Sequence, residues 1–568
     1  MRRYLSIVLL SCVGVLSFSS CSHSPEHVRY IPKDAVVVVG INASSLTKKV
    51  AWNVITGSKL FKQWMNDLHE KSAGSFDVGK LGIDNMNTVY LYIKGDKRYK
   101  DGSRVTALVP LSSASDWEAY IKKQLPNINI AQHGERKETM LTEGMYAGWN
   151  SKLLVIMNVL PGQELMQGPD TAQANARPKM DDAALSAEMD NAFGVTKENA
   201  LMGNEHFATL QKEDHDVMFW MNYDILMSEY VKDGLSSKME GVSLTNTLWK
   251  DAAFAGGIDF EKGSIKGGVK YYTSKDMVES SRDMGSTNAD KDMLERLPTQ
   301  NLDVLAAWHL SPKGLKGMLE KAGLLGFANI ALGQQGISSD FIFDAFTGDM
   351  ALDLSDFSLK NETITDTSFW ETMTSSSLKP SLNAMYVAKI NKKENFEKLL
   401  KMVAEGAMMS IGPNSYAMPI SDKDSLYVVT SGDYAIAANK MANIKAYMDG
   451  SNKSQKVPGA VSANVYGHPF ALYLDIQQMA KTIDPGLSHS SHDSAVIVEA
   501  KRLLDNVAIS GGEYKNNAFE YHMTINFMNK DENSLLEIMD FGMRVNDINN
   551  SPAPSAYNTN SNNFVRNK

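Results

Sequence analysis

The chain has 568 residues, 43% of them hydrophobic, enough for two or more ordinary domains. Its 57 basic and 66 acidic residues leave a formal charge of −9 with no basic run, which argues against nucleic acid or an anionic lipid surface as partner. After the first twenty residues, no apolar run approaches the roughly 20 residues that cross a bilayer.

Met1-Arg2-Arg3 supplies a positive segment, Tyr4 to Phe18 an apolar one, and Phe18-Ser19-Ser20-Cys21 a small-residue end. This is the layout of a secretory signal, too short and wrongly flanked for a stable membrane helix. The stretch resembles a bacterial lipoprotein lipobox. The resemblance implies a signal peptide over residues 1–20, cleavage before Cys21, and acylation of its sulfur and new N-terminus. An ordinary signal peptide with an incidental cysteine is the alternative. Ser22 stands where inner-membrane retention signals place Asp, so the expected address is the outer membrane, facing the periplasm or the outside. With Cys12 discarded and Cys21 acylated, no free thiol remains for catalysis, disulfides or cysteine metal sites. A tether over 21–29, reaching at most ~3.5 Å per residue, holds the body near the bilayer.

Beyond the tether the sequence runs through one grammar twice. Tyr30 to Val50 reads as a β-branched strand followed by Asn42 and Ser44-Ser45, which can cap a helix; Leu297-Pro298 onward repeats it, with Ser311 before Pro312. Alternating strands follow at Asn87–Gly95 and Gly348–Phe357. Strand–helix units begin at Arg104 and Leu382, where Leu111, Trp117 and Glu118 match Ile390, Phe396 and Glu397 at one offset. Two-strand segments with tight turns follow at Met145–Asn158 and Leu426–Asn439. His215 and His468 each open a further strand–helix unit, and Gly256-Gly257 and Gly511-Gly512 mark closing hairpins. Six units recurring in one order point to an internal duplication.

The expected fold is therefore α+β: two similar halves, each a mixed or largely antiparallel sheet with helices packed on one face. The halves are expected over 30–296 and 297–545, with the boundary in the polar stretch Lys291 to Pro298, and an Asn- and Ser-rich disordered tail over 546–568. The lipobox, the IPKDAVVVVGIN opening, the HDVMFWMNYD segment and the Gly-Gly hairpin together resemble a lipoprotein family of Bacteroides-type bacteria known as a domain of unknown function. That resemblance spans nearly the whole mature chain and carries no catalytic residue with it.

No Walker loop, dinucleotide GxGxxG, HExxH, GxSxG or EF-hand loop occurs. The best local cluster is His489, His492 and Asp493, which could supply zinc ligands or form a polar loop whose Asp493 or Ser494 caps the next helix. His215 and His468 read as paired proton carriers or as structural hydrogen-bond partners, and their recurrence favours structure. The Gly-Gly pairs favour close packing over ligand approach. The 32 methionines, Met408, Met409 and Met418 among them, read as fillers of irregular core gaps rather than copper ligands. Only the first half carries an insertion near 163–214, with a loop and an amphipathic helix.

The sequence thus reads as a lipid-anchored envelope protein acting as a binding or scaffold module for a protein, glycan or small apolar ligand. No cofactor is expected, and an enzyme is the less favoured reading. The alternatives are a metal-assisted hydrolase using His489, His492 and Asp493, or a structural spacer.

Overall fold

The structure, a computed structural model, describes residues 25–51, 81–94, 103–142, 144–160, 182–234, 246–368, 371–421, 424–454, 459–481 and 492–551. The signal peptide, Cys21 and His489 lie outside the described residues. The chain divides into two compact units: the first holds the described residues up to Lys48, those from 81 to Glu229, and Ala255–Gly257, and the second holds the rest.

In the first unit the strands are β1 (Ala35–Asn42), β2 (Thr88–Lys94), β3 (Ser103–Pro110), β4 (Ala131–His133), β5 (Arg136–Thr142), β6 (Met145–Trp149), β7 (Leu153–Leu160) and β8 (Val217–Asn222). They pair antiparallel in the order β8-β1-β2-β3-β7-β6-β5-β4. The period of two decides which residues face the core: along β2, Thr88, Tyr90 and Tyr92 are buried and their neighbours are not. The Ala114–Gln124 helix, capped by the Ser113 hydroxyl accepting from the Asp116 N–H, lays Trp117 and Ile121 against Ala147, Trp149 and Leu154. Trp117 and Trp149 meet edge to face at 6.3 Å.

After β9 (Ala253–Glu261) and β10 (Ser264–Tyr272) come β11 (Leu302–His309), β12 (Phe346–Ser368), β13 (Glu371–Ile390), β14 (Met409–Gly412), β15 (Ser415–Pro419), β16 (Ser425–Ser431), β17 (Tyr434–Ala438), β18 (Phe470–Asp475), β19 (Leu504–Lys515) and β20 (Ala518–Phe527). In the second unit the antiparallel order is β10-β20-β19-β18-β11-β12-β13-β17-β16-β15-β14. The eight strands from β18 to β14 follow the same order as the eight of the first unit. Met293, Leu305, Val387, Ile436, Tyr447 and Tyr473 lie in the core of this unit. The fold is mixed α+β with extensive antiparallel sheet.

Three boundaries differ from the sequence expectation. The stretch Lys291 to Pro298, expected at the boundary between halves, lies within the second unit. Lys291–Glu295 is a short helix capped by Asp290, whose side chain accepts from the Met293 N–H at 2.7 Å, and Met293, Leu294 and Leu297 enter the core. The strand β10 belongs to the second unit because it pairs with β20 over nine consecutive positions, Ser264↔Asn526 to Tyr272↔Ala518. The Ser534–Asn549 helix also runs past 546, where the tail is expected to begin. In addition, β12 and β13 run on past Phe357, paired out to Ser368↔Glu371.

Candidate functional site

The first unit holds a cleft of about 540 Å³ beside the first described turn. One wall is the 3₁₀ turn Glu26–Tyr30, and the opposite wall is the β6–β7 turn at Asn150–Leu153. The tight turn predicted from Asn-Ser is built by the Asn150 side chain, which accepts from the N–H groups of Lys152 and Leu153 at 2.9 Å each. Glu26 meets Arg29 of its own turn at 3.3 Å and Lys152 of the other turn at 3.6 Å. Arg29 also donates to the Tyr30 hydroxyl at 3.0 Å, its guanidinium 4.9 Å from the ring centre. Below them a ring nitrogen of His27 bonds the Thr88 carbonyl at 2.6 Å. Burial lowers the His27 pKa, against the raising effect of that bond. The floor therefore holds a largely neutral imidazole and the rim holds charges of both signs, a lining suited to polar ligands.

His215 and His468 each stand two residues before a strand, β8 and β18, within reach of a glutamate. His215 lies 3.1 Å from Glu213 and its ring covers the Cα of Gly257. His468 lies 2.7 Å from Glu513, directly after Gly511-Gly512. Gly511 is at the β19–β20 bulge with φ +141°, where a Cβ would stand 2.2 Å from the Glu520 carbonyl oxygen. Both glycine pairs thus serve close packing of the kind the sequence favoured.

His492 and Asp493 open the His492–Leu503 helix, and their partner His489 lies outside the described residues. The insertion helix Asp182–Phe193 turns its apolar face inward: Leu185, Met189 and Ala192 are buried, and a Cβ on Gly148 would stand 2.6 Å from the Met189 sulfur. Its polar face ties Ser186 to Glu138 at 2.6 Å and Glu188 to Arg104 at 2.7 Å. The helix is spent on the first unit's own packing. Met189, Met293 and Met385 fill core gaps, but Met409 is 58% exposed and is not a core filler.

Sequence reasoning missed two carboxyls of the second unit. Asp303 and Asp353 are each 1% exposed. Burial pushes both upward, Asp353 to about 8, with neighbouring carboxylates adding to the effect. The signal was present: in Leu302-Asp303-Val304 and Leu352-Asp353-Leu354 an acid interrupts an apolar strand.

No family model matches this chain, and no curated protein does. Among solved structures it bears some likeness to crystal form I of TP0453, at 8% identity and a TM-score of 0.25 over 44% of this chain and 80% of that one. Crystal form III of TP0453 gives 8% identity and 0.23 over 45% and 81%. Likeness at these TM-scores carries no argument about fold or function.

Proposed function

We propose that this chain is a lipid-anchored protein of the cell envelope, attached to the outer membrane through Cys21, and that it works as a binding or scaffold module. The observation that carries the binding role is the charged cleft between the Glu26–Tyr30 turn and the Asn150–Leu153 turn. Cations, carboxylates and an aromatic face on one rim suit a glycan or a polar peptide better than a small apolar ligand.

The two units descend, on this reading, from one duplicated unit. Their common strand order supports it, as does a bulge at the same ladder position, between Ala35 and Val37 in one and between Leu302 and Val304 in the other. The family resemblance to lipoproteins of unknown function stands as part of the same proposal.

Two measurements test it. Metabolic labelling with an alkyne fatty acid is expected to mark the wild-type protein and not Cys21→Ser; equal labelling of both removes the anchor. A calorimetric screen against glycan and peptide panels is expected to find a ligand whose affinity drops about tenfold, or 1.4 kcal/mol, in Lys152→Ala or Tyr30→Ala. A ligand indifferent to both substitutions would place binding elsewhere, and substrate turnover abolished by one substitution would replace the module with an enzyme.

A further inference from the structure

The end of the second unit's sheet gathers four buried polar side chains. Strand β11 is irregular between Leu302 and Val304, which sets Asp303 at the bulge. Asp353 and Ser355 stand two apart on β12, and Asn383 on β13 pairs with Ser355, so the last three share one face. Asp303 and Asp353 are 1% exposed, Ser355 2% and Asn383 8%.

In three of these side chains one polar atom is tied and the other is free. The Phe357 N–H donates to Asp303 Oδ2 at 2.7 Å, Ser355 Oγ donates to Asp353 Oδ1 at 3.3 Å, and Asn383 Nδ2 donates to Asp356 Oδ2 at 2.5 Å. The remaining oxygens, Asp303 Oδ1, Asp353 Oδ2 and Asn383 Oδ1, are buried and accept no hydrogen bond. Buried acceptors without donors are costly, and here the charged groups acting on the two acids are further carboxylates, Asp356 and Asp475.

The fold does not demand these acids. At the matching ladder positions of the first unit, beside the bulge between Ala35 and Val37, stand Val36 and Tyr92, both buried. The same bulge and strand pairing form there with apolar side chains.

Outer hydrogen bonds that fix one atom of a ligand and leave the other free are how proteins orient groups toward a metal. An all-oxygen set suits a hard cation rather than zinc or copper. Among the described residues no three His, Cys, Asp or Glu side chains form a metal group, so this set rests on two carboxylates and one amide oxygen, with water to complete the shell. We propose that Asp303 Oδ1, Asp353 Oδ2 and Asn383 Oδ1 bind a hard divalent cation, calcium foremost, inside the second unit. This inference does not depend on the cleft of the first unit.

The test melts the full chain, purified in detergent and stripped with EDTA, with and without calcium or magnesium chloride. Saturating calcium is expected to raise the unfolding midpoint by about 4 °C or more. Asp353→Asn and Asp303→Asn are isosteric and are expected to lose that response while keeping metal-free midpoints at or above the wild type, since each removes a carboxyl whose ionisation burial disfavours. Isothermal titration should find one calcium per wild-type chain and none in either variant. No shift with either ion, or an undiminished shift in both variants, overturns the site.

Discussion

The imidazole of His215 occupies the space a side chain on Gly257 would need: a Cβ there would stand 2.1 Å from the ring carbon Cγ. Gly257→Ala must therefore push the ring out or shift the strand. We expect a loss of about 1–3 kcal/mol in urea unfolding. Much of it should return in the double variant with His215→Ala, because the clash then disappears. Additive losses in that cycle would mean the ring and the glycine are not in contact.

Gly511 meets backbone rather than a side chain. Its Cβ would lie 2.2 Å from the Glu520 carbonyl oxygen and 2.7 Å from the Tyr521 Cα, at φ +141°. No rotamer change relieves either contact. Gly511→Ala is expected to cost at least about 2 kcal/mol, with no rescue from His468→Ala, as thermal melts of the three variants would show.

Asp349 sets part of the acid limit of the second unit. It is 7% exposed, and burial alone would raise its pKa. Hydrogen bonds from His309 at 2.9 Å and Thr347 at 2.8 Å prevail and hold it below the ordinary carboxylate value. A depressed carboxylate contributes stability above its unfolded pKa, near about 4, and loses it as pH falls further. Melts from neutral pH downward should show wild-type stability dropping below that point. Asp349→Asn should be less stable at neutral pH with a flatter acid limb; parallel limbs would show that the carboxylate does not carry this dependence.

Trp149 is 2% exposed and packs edge to face on Trp117. Trp149→Ala removes one of the two indoles of that cluster and is expected to cost about 3–5 kcal/mol. Near-ultraviolet circular dichroism should lose the coupled indole signal. A loss under about 1 kcal/mol would mean that the neighbouring side chains collapse into the space.

Much of the fold was legible because local signals and tertiary needs agree. Asn42 does cap the Ala43–Lys49 helix, its side chain accepting from the Ser45 N–H at 3.0 Å, and Ser311 does the same for Gly314 at 3.3 Å beside Pro312. The Asn516-Asn517 turn takes the two positive φ values a tight hairpin requires. What failed was inference from polarity. Lys291–Glu295 reads as a boundary because a short capped helix shows many charges, while the decisive Met293 and Leu294 are only two residues. The carboxyls at Asp303 and Asp353 were hidden for the opposite reason: single acids in apolar strands read as solvent-facing until pairing shows which side they take. For Cys21 and His489, outside the described residues, the sequence remains the sole guide.

The ladder between β10 and β20 also has a consequence in time. Ser264 and Asn526 are direct partners, and 526 − 264 = 262 residues separate them. At translation rates of about 5–20 residues per second, a ribosome needs on the order of ten to fifty seconds to make that interval. Throughout it, a nine-residue strand waits with its pairing edge open to any other extended chain. The β19–β20 hairpin ends this wait, so a chain stopped before Ala518 is expected to keep that edge open and to associate rather than settle as a smaller folded protein.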